Sequence, residues 1–173
     1  MKKLVAIVAL ALVAPALASA QRQPVDPNWL SVDAGAKTVR FQLIAGLTGV
    51  NGALNFNGFA DGGFTLVIPA GWAVEMDFVN HDGMLPHSAI VVAGTLPMQA
   101  APSVPAIPRA FTVRLSEGLR PLGKDTMRFT ADPPGDYFIV CGVPGHAAAG
   151  MWIRLQISST AKAPTMSATP APR

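Results

Sequence analysis

The feature that most constrains the fold is a series of short apolar segments separated by turns that contain glycine and proline. Apolar and polar residues alternate over Thr38 to Leu43 and again over Val74 to Phe78, which is the period of a half-buried β-strand. The chain has 16 Gly and 16 Pro, and these residues interrupt long helices. The sequence therefore predicts an all-β fold, a β-sandwich of about seven or eight short strands.

The first 20 residues have the pattern of a secretory signal peptide. Two lysines precede an apolar run that is shorter than the roughly 20 residues needed to cross a membrane, and small residues before Gln21 offer a cleavage site. We therefore predict a signal peptide over 1–20 and export to the periplasm or another extracytoplasmic compartment. No membrane-spanning segment is expected in the mature chain.

The remaining chain divides into one folded domain and a tail. Residues 21–158 carry the strand-like segments, whereas residues 159–173 are rich in Ala, Pro and Thr and predict a disordered tail. Within the domain, residues 96–108 contain four prolines and predict a long irregular excursion over the surface. The role of this Pro-rich segment is left open by the sequence.

The charge of the chain argues against a nucleic-acid partner. Without residues 1–20 the chain keeps 11 basic and 10 acidic residues, a net charge of +1. Lys and Arg are scattered and form no basic stripe that could follow phosphates. We expect a monomer that does not bind nucleic acid.

Cys141 is the only cysteine, and this restricts its possible roles. A single cysteine cannot close an internal disulfide, and a free thiol outside the cytoplasm is open to oxidation. Either Cys141 is buried and inert, or it is occupied by a ligand.

The same cysteine opens a loop rich in glycine and proline that also contains His146 and Met151. One Cys and two His with a weak axial Met form the donor set of blue copper sites, because soft sulfur suits Cu(I) and imidazole serves both oxidation states. The second His has two candidates. His81 lies in an Asn-His-Asp-Gly turn pattern, whereas His87 opens the apolar segment Ser88 to Val92 and is our assignment.

Together these segments resemble a known family. Leu85-Pro86-His87-Ser88 and the loop Cys141 to Met151, followed by Trp152-Ile153, are similar to segments of the cupredoxins, and among them of the sulfocyanin and rusticyanin families. The resemblance covers residues 38–158. It implies a Greek-key β-sandwich with one type 1 copper ion at one end, held by His87, Cys141, His146 and Met151, and a role in one-electron transfer. Ser88, where other cupredoxins often carry Asn, fits the pattern associated with high potential in this group.

We predict an exported electron carrier of high potential and not an enzyme. The chain has three His, so a second copper centre cannot be assembled, and four ligands leave no open position for a substrate. Redox protein partners are expected to dock on the uncharged surface around His146. The alternative is a copper delivery or storage protein without a redox role, and a structural zinc site is a weaker third interpretation.

Overall fold

The computed structural model describes residues 24–96 and 98–169. The predicted signal peptide over 1–20 lies outside the described residues. A single turn of 3₁₀ helix, Pro27–Trp29, precedes the first strand, and a second short 3₁₀ turn spans Val50–Ala53. Within the described part of the chain, no helix is long and apolar enough to cross a membrane.

Nine strands in two sheets make up the described structure, so the fold is all-β as predicted. The strands are β1 (Leu30–Asp33), β2 (Thr38–Ala45), β3 (Phe64–Pro69), β4 (Ala73–Asn80), β5 (Ile90–Val92), β6 (Lys124–Thr130), β7 (Gly135–Val140), β8 (Trp152–Ser158) and β9 (Thr165–Ala168). The first sheet has the order β1-β2-β4-β6 and the second the order β5-β7-β8-β3-β9.

The alternating residues place one face of each sheet in a shared core. On β2, Val39, Phe41 and Leu43 are fully buried, while Arg40 and Gln42 between them are exposed. Phe41 stacks on Phe64 of β3, with 5.9 Å between ring centroids, and this contact joins the two sheets. The alternation in the sequence therefore becomes the inner and outer faces of a sandwich.

The chain changes sheet at every step from β2 to β7, in keeping with the Greek-key β-sandwich that the sequence predicted. As a result, β2 pairs with β4 in parallel and β3 pairs with β8 in parallel, whereas β7 and β8 form an antiparallel pair. Both Ile90 of β5 and Trp152 of β8 lie opposite Val140 of β7. The start of β5, the end of β7 and the start of β8 consequently meet at one end of the second sheet.

The predicted irregular excursion covers the free edge of β5. Residues 98–108 contain neither helix nor strand. The backbone nitrogen of Ala106 donates to the carbonyl of Val91 (2.9 Å), and the nitrogen of Val91 donates to the carbonyl of Ala110 (2.9 Å). These bonds satisfy the backbone groups that an edge strand would otherwise leave unpaired.

The prediction of a disordered tail over 159–173 is wrong for most of its length. Residues 159–169 are described, and β9 pairs antiparallel with β3. Beyond the strand, the nitrogen of Thr169 donates to the carbonyl of Gly63 (2.8 Å), and the hydroxyls of Thr65 and Thr169 are 2.6 Å apart. The segment is held mainly by backbone pairing along an exposed sheet edge. Such pairing needs few apolar side chains, so the amino-acid composition of the segment does not indicate a strand. Residues 170–173 lie outside the described residues.

Candidate metal centre

Three of the predicted site residues meet at the end of the second sheet. His87, Cys141 and His146 each offer one donor atom, and these atoms lie within 4.8 Å of one another. His87 and Cys141 are fully buried, and His146 is half-buried. Residues that are distant in the sequence thus form one compact group of a thiol and two imidazoles.

The β7–β8 loop positions two members of this group. The nitrogen of Cys141 donates to the carbonyl of Met151 (3.1 Å), and the nitrogen of Met151 donates to the carbonyl of His146 (3.0 Å). The loop also needs Gly150, whose φ is +95° and whose missing Cβ would lie 2.5 Å from Asp61. These bonds close the loop and hold Cys141 and His146 on the same side of it.

Met151, the predicted axial residue, lies at the far end of this loop. Its side chain is fully buried and belongs to the same core cluster as Cys141. Both of its backbone polar groups bond to the other loop members, so its position is tied to theirs. The structure therefore brings Met151 to the same end of the sandwich as the three clustered donors.

His87 lies on a separate segment between β4 and β5, and backbone hydrogen bonds fix the position of this segment. Its nitrogen donates to the carbonyl of Leu119 (3.1 Å), and the nitrogen of Leu119 donates back to the carbonyl of His87 (2.7 Å). Gly118 allows this close approach, since its φ is +73° and a Cβ there would lie 2.9 Å from the nitrogen of His87. The neighbouring segment therefore locks the histidine in place.

The ring of His87 leaves one nitrogen without a partner. Nε2 donates to Oδ2 of Asp82 at 3.0 Å. Nδ1 is buried and has no hydrogen-bond partner among the described residues. A buried polar atom without a partner costs free energy, and a metal ion beside the neighbouring donors would satisfy it. The group therefore fits a metal on the geometry of its own atoms.

The Cys141 thiol lies in a dry environment between the His87 segment and the rest of the β7–β8 loop. Its Sγ is 3.5 Å from Nδ1 of His146 and accepts a weak hydrogen bond from the nitrogen of Ser88 at 3.5 Å. Burial raises the pKa of the Cys141 thiol, and the Ser88 contacts only partly oppose this. A bound cation would stabilise the thiolate at this position, as is usual for coordinating thiols.

Ser88 connects the segment that carries His87 to the β7–β8 loop that carries Cys141 and His146. Its hydroxyl accepts a hydrogen bond from the nitrogen of Gly142 (3.0 Å) and donates to the carbonyl of Leu115 (2.6 Å). The residue after His87 is thereby bonded to the residue after Cys141. The relative positions of this segment and this loop are set by the Ser88 bridge.

The surroundings of both clustered histidines lower the pKa of the imidazole and so favour its neutral form. Burial lowers the pKa of His87, and the hydrogen bond to Asp82 only partly offsets this. Burial also lowers the pKa of His146, and the adjacent His87, whose ring centroid is 5.1 Å away, adds to the effect. Neutral imidazoles are the form that binds metal, so neither histidine has to lose a proton first near neutral pH.

The comparison with known proteins agrees with this geometry. The family model described as the Sulfocyanin (SoxE) domain matches residues 26–168, most of the chain. The chain belongs to the sulfocyanin family. The resemblance to the cupredoxins that the ligand-loop sequence indicated is thereby confirmed.

Among the relatives of this sulfocyanin-family chain are a sulfocyanin and a rusticyanin. Sulfocyanin of Sulfolobus acidocaldarius is 27% identical over 143 residues, covering 74% of this chain and 67% of that protein. Rusticyanin of Acidithiobacillus ferrooxidans is 34% identical over 93 residues, covering 51% of this chain and 56% of the relative. The chain thus spans between half and two thirds of the length of these relatives.

Solved structures of rusticyanin share the fold. One structure of this copper protein is 25% identical and covers 75% of the chain and 87% of rusticyanin, with a TM-score of 0.54. A structure of a rusticyanin variant is 26% identical over the same share of each chain, with a TM-score of 0.58. The Greek-key sandwich predicted for the sulfocyanin-family chain is therefore supported both by its strand order and by its similarity to the rusticyanin structures.

The turn before His87 contains one histidine that lies outside the cluster and one aspartate that contacts it. His81, the alternative second histidine, is exposed and lies outside the cluster. Asp82, in contrast, contacts the site and was not among the predicted residues. The sequence signal was present, since an acidic residue lies shortly before the histidine, but an Asn-His-Asp-Gly pattern is read first as a turn.

Proposed function

We propose that this chain is an exported one-electron carrier whose type 1 copper ion is held by His87, Cys141 and His146, with Met151 as a weak axial ligand. The observation that carries the proposal is the buried Nδ1 of His87, which has no partner among the described residues and belongs to a residue that clusters with a thiol and a second imidazole. Two imidazoles and one thiolate with an axial thioether are the donors of blue copper sites.

Copper bound at this site would supply the redox chemistry by alternating between Cu(II) and Cu(I). The contribution of the chain is to keep the donors in one arrangement during that change. Backbone bonds fix His87 from Leu119 and close the ligand loop through Met151, while Ser88 joins the His87 segment to that loop. Donors that need not move when the charge changes favour fast electron exchange.

The surroundings of the donors support a high reduction potential. Cys141 and Met151 are fully buried in the main core, and Val140, Ala147 and Trp152 form an adjoining apolar cluster. Cu(II) with one thiolate has a net charge of +1, whereas Cu(I) with the same thiolate is neutral. An apolar shell penalises the charged state more, and this raises the potential.

Burial also favours a carrier over a delivery or storage protein. Delivery requires donors that a partner can reach and displace, but His87, Cys141 and Met151 are all fully buried. Catalysis is disfavoured for a related reason, because four ligands from the chain leave no position for a substrate. We therefore propose a carrier that is not an enzyme.

Partners are proposed to dock where His146 approaches the surface. This histidine is half-buried, and the exposed loop residues near it are uncharged. They are Pro144, Gly145, Ala148 and Ala149. A redox protein that covers this patch would come close to a ligand of the metal, so the patch is the proposed route of the electron.

The proposed location rests on the pattern of residues 1–20, and the proposed assembly on the burial of the thiol. The pattern of residues 1–20 supports export to the periplasm or a similar compartment. Cys141 is a buried free cysteine, so it is shielded from oxidation and from bonding to a second chain. We propose a monomer in that compartment.

The ligand assignment is tested by substituting the candidate residues one at a time. Cys141→Ser removes the thiolate that gives blue copper its intense colour, so the oxidised protein should lose its visible band completely. His87→Ala should abolish or distort the band, and His81→Ala, the matched control on an exposed histidine, should leave it unchanged. A Cys141→Ser protein that stays blue would reject the assignment, and the reverse order of the two histidine variants would move the ligand to His81.

A further inference from the structure

Asp82 is a buried carboxylate that contacts the metal centre without belonging to it. Only 7% of the residue is exposed. Its Oδ2 accepts the hydrogen bond from Nε2 of His87 at 3.0 Å, and its Oδ1 accepts from the backbone nitrogens of Met84 (2.8 Å) and Leu85 (3.2 Å). Among the described residues no Lys or Arg forms a salt bridge with it.

This arrangement decides which nitrogen of His87 carries the proton. A carboxylate can only accept a hydrogen bond, so the proton of the neutral ring must be on Nε2. Nδ1 then keeps its lone pair, and this is the buried nitrogen that has no other partner among the described residues. The hydrogen bond to Asp82 therefore leaves the free electron pair of the imidazole on Nδ1, the nitrogen that remains available to a metal.

We propose that Asp82 is a positioning residue that selects the Nε2–H tautomer of His87 and lowers the reduction potential of the copper bound by it. The second half of this proposal rests on the proposed function. A carboxylate bonded to the outer nitrogen makes the inner nitrogen a stronger donor, and a stronger donor stabilises Cu(II) more than Cu(I). Its negative charge acts in the same direction. The apolar shell raises the reduction potential, and Asp82 thus acts against it by lowering the potential.

The loop around Asp82 has a second support, so its carboxylate can be changed with the loop still anchored. The side-chain nitrogen of Asn80 donates to the carbonyls of Leu85 and Leu119, both at 2.8 Å. The side-chain oxygen of Asn80 accepts from the backbone nitrogen of Asp82 (3.0 Å). These bonds connect the end of β4 to both sides of His87 and involve no atom of the Asp82 carboxylate.

The tautomer is tested directly on the metal-free, reduced wild-type protein. Long-range proton–nitrogen correlation spectra of the imidazoles distinguish a protonated Nε2 from a protonated Nδ1. We expect His87 to show a protonated Nε2 and a bare Nδ1 near neutral pH, and we expect Asp82→Ala to yield a mixture of both forms. A protonated Nδ1 in the wild-type protein would overturn the proposal, and this test does not depend on copper.

The effect on the potential is tested with copper-loaded variants. Asp82→Asn keeps an oxygen acceptor but removes the charge, so the protein should remain blue with a higher potential. We expect at least a tenfold shift in the ratio of the two copper affinities toward Cu(I), which is about 59 mV for a one-electron couple. Asp82→Ala should shift the potential in the same direction and also change the visible spectrum.

Asp61→Asn is the matched control, because it also removes a negative charge near the ligand loop. Asp61 is exposed, and its backbone nitrogen bonds to the carbonyl of Gly150 in the ligand loop, but its side chain bonds to no candidate ligand. Its substitution should move the potential far less than Asp82→Asn, because exposed charges are screened. A blue Asp82→Asn protein with the wild-type potential would refute the tuning role. A wild-type protein that is not blue would instead refute the proposed function, while the tautomer result would stand.

Discussion

At the scale of single residues, Met151 allows axial ligation to be separated from packing. A thioether favours Cu(I), whereas an amide oxygen is harder and favours Cu(II), so Met151→Gln should lower the reduction potential. Met151→Leu keeps a similar volume but removes the donor, which weakens Cu(II) more, so the potential should rise. Each tenfold change in the affinity ratio moves the couple by about 59 mV, which a redox titration resolves.

Both Met151 variants should stay blue, because His87, Cys141 and His146 are unchanged. If neither replacement moves the potential, then Met151 only packs in the core and the axial position is empty or taken by another group. The full burial of this side chain is compatible with either role, which is why the pair of variants is needed.

The residues of the site were not equally predictable from the sequence. Cys141 and His146 could be paired because they lie on one loop, and their donor types are chemically unusual together. His87 could be chosen over His81 because it opens an apolar segment, and the structure brings it into the cluster. Asp82 was missed although an acidic residue shortly before the histidine is visible in the sequence, because its contact with His87 depends on how the intervening turn folds back.

At the scale of secondary structure elements, β9 is the part of the fold that the sequence did not reveal. Its residues alternate between exposed and half-buried positions, so no strong apolar period marks the strand. The longer strands β2 and β4 have clear alternation and were visible in the sequence. Strands with one face in the core and one face in solvent leave an alternating pattern, whereas a strand added at an edge is specified mostly by backbone pairing.

The edge position of β9 predicts a measurable contribution to stability. A chain that lacks residues 165–173 should lose the pairing with β3. This should lower the free energy of unfolding by about 1–3 kcal/mol, which is the net contribution of a few backbone hydrogen bonds. A chain that lacks only residues 170–173 is the matched control and should match the full chain. Urea denaturation of both metal-free proteins provides the measurement, and equal stability of the two would show that β9 does not hold the sheet together.

At the scale of the whole molecule, the proposed docking patch predicts how partners are recognised. Ala148 is exposed two residues after His146, and the residues next to it along the loop are uncharged. Ala148→Glu should slow electron exchange with a redox partner severalfold, because the charge must be desolvated on docking, but it should leave the visible spectrum and the potential unchanged. Stopped-flow kinetics measures the rate.

The salt dependence of the same reaction gives a control. Docking that depends on apolar contact should vary little with ionic strength in the wild-type protein. A wild-type rate that falls steeply with added salt would show instead that charges guide the partner, and the patch around His146 would not be the main contact.

The function proposed for this chain requires one copper ion that gains and loses one electron without leaving the site. The most direct measurement is a redox titration of the copper-loaded protein followed by visible absorption. We expect an intense blue band after oxidation with ferricyanide, its complete loss after addition of one electron per chain, and its full return on reoxidation over repeated cycles. A copper-loaded protein that shows no blue band, or that releases its copper on reduction, would contradict the claim.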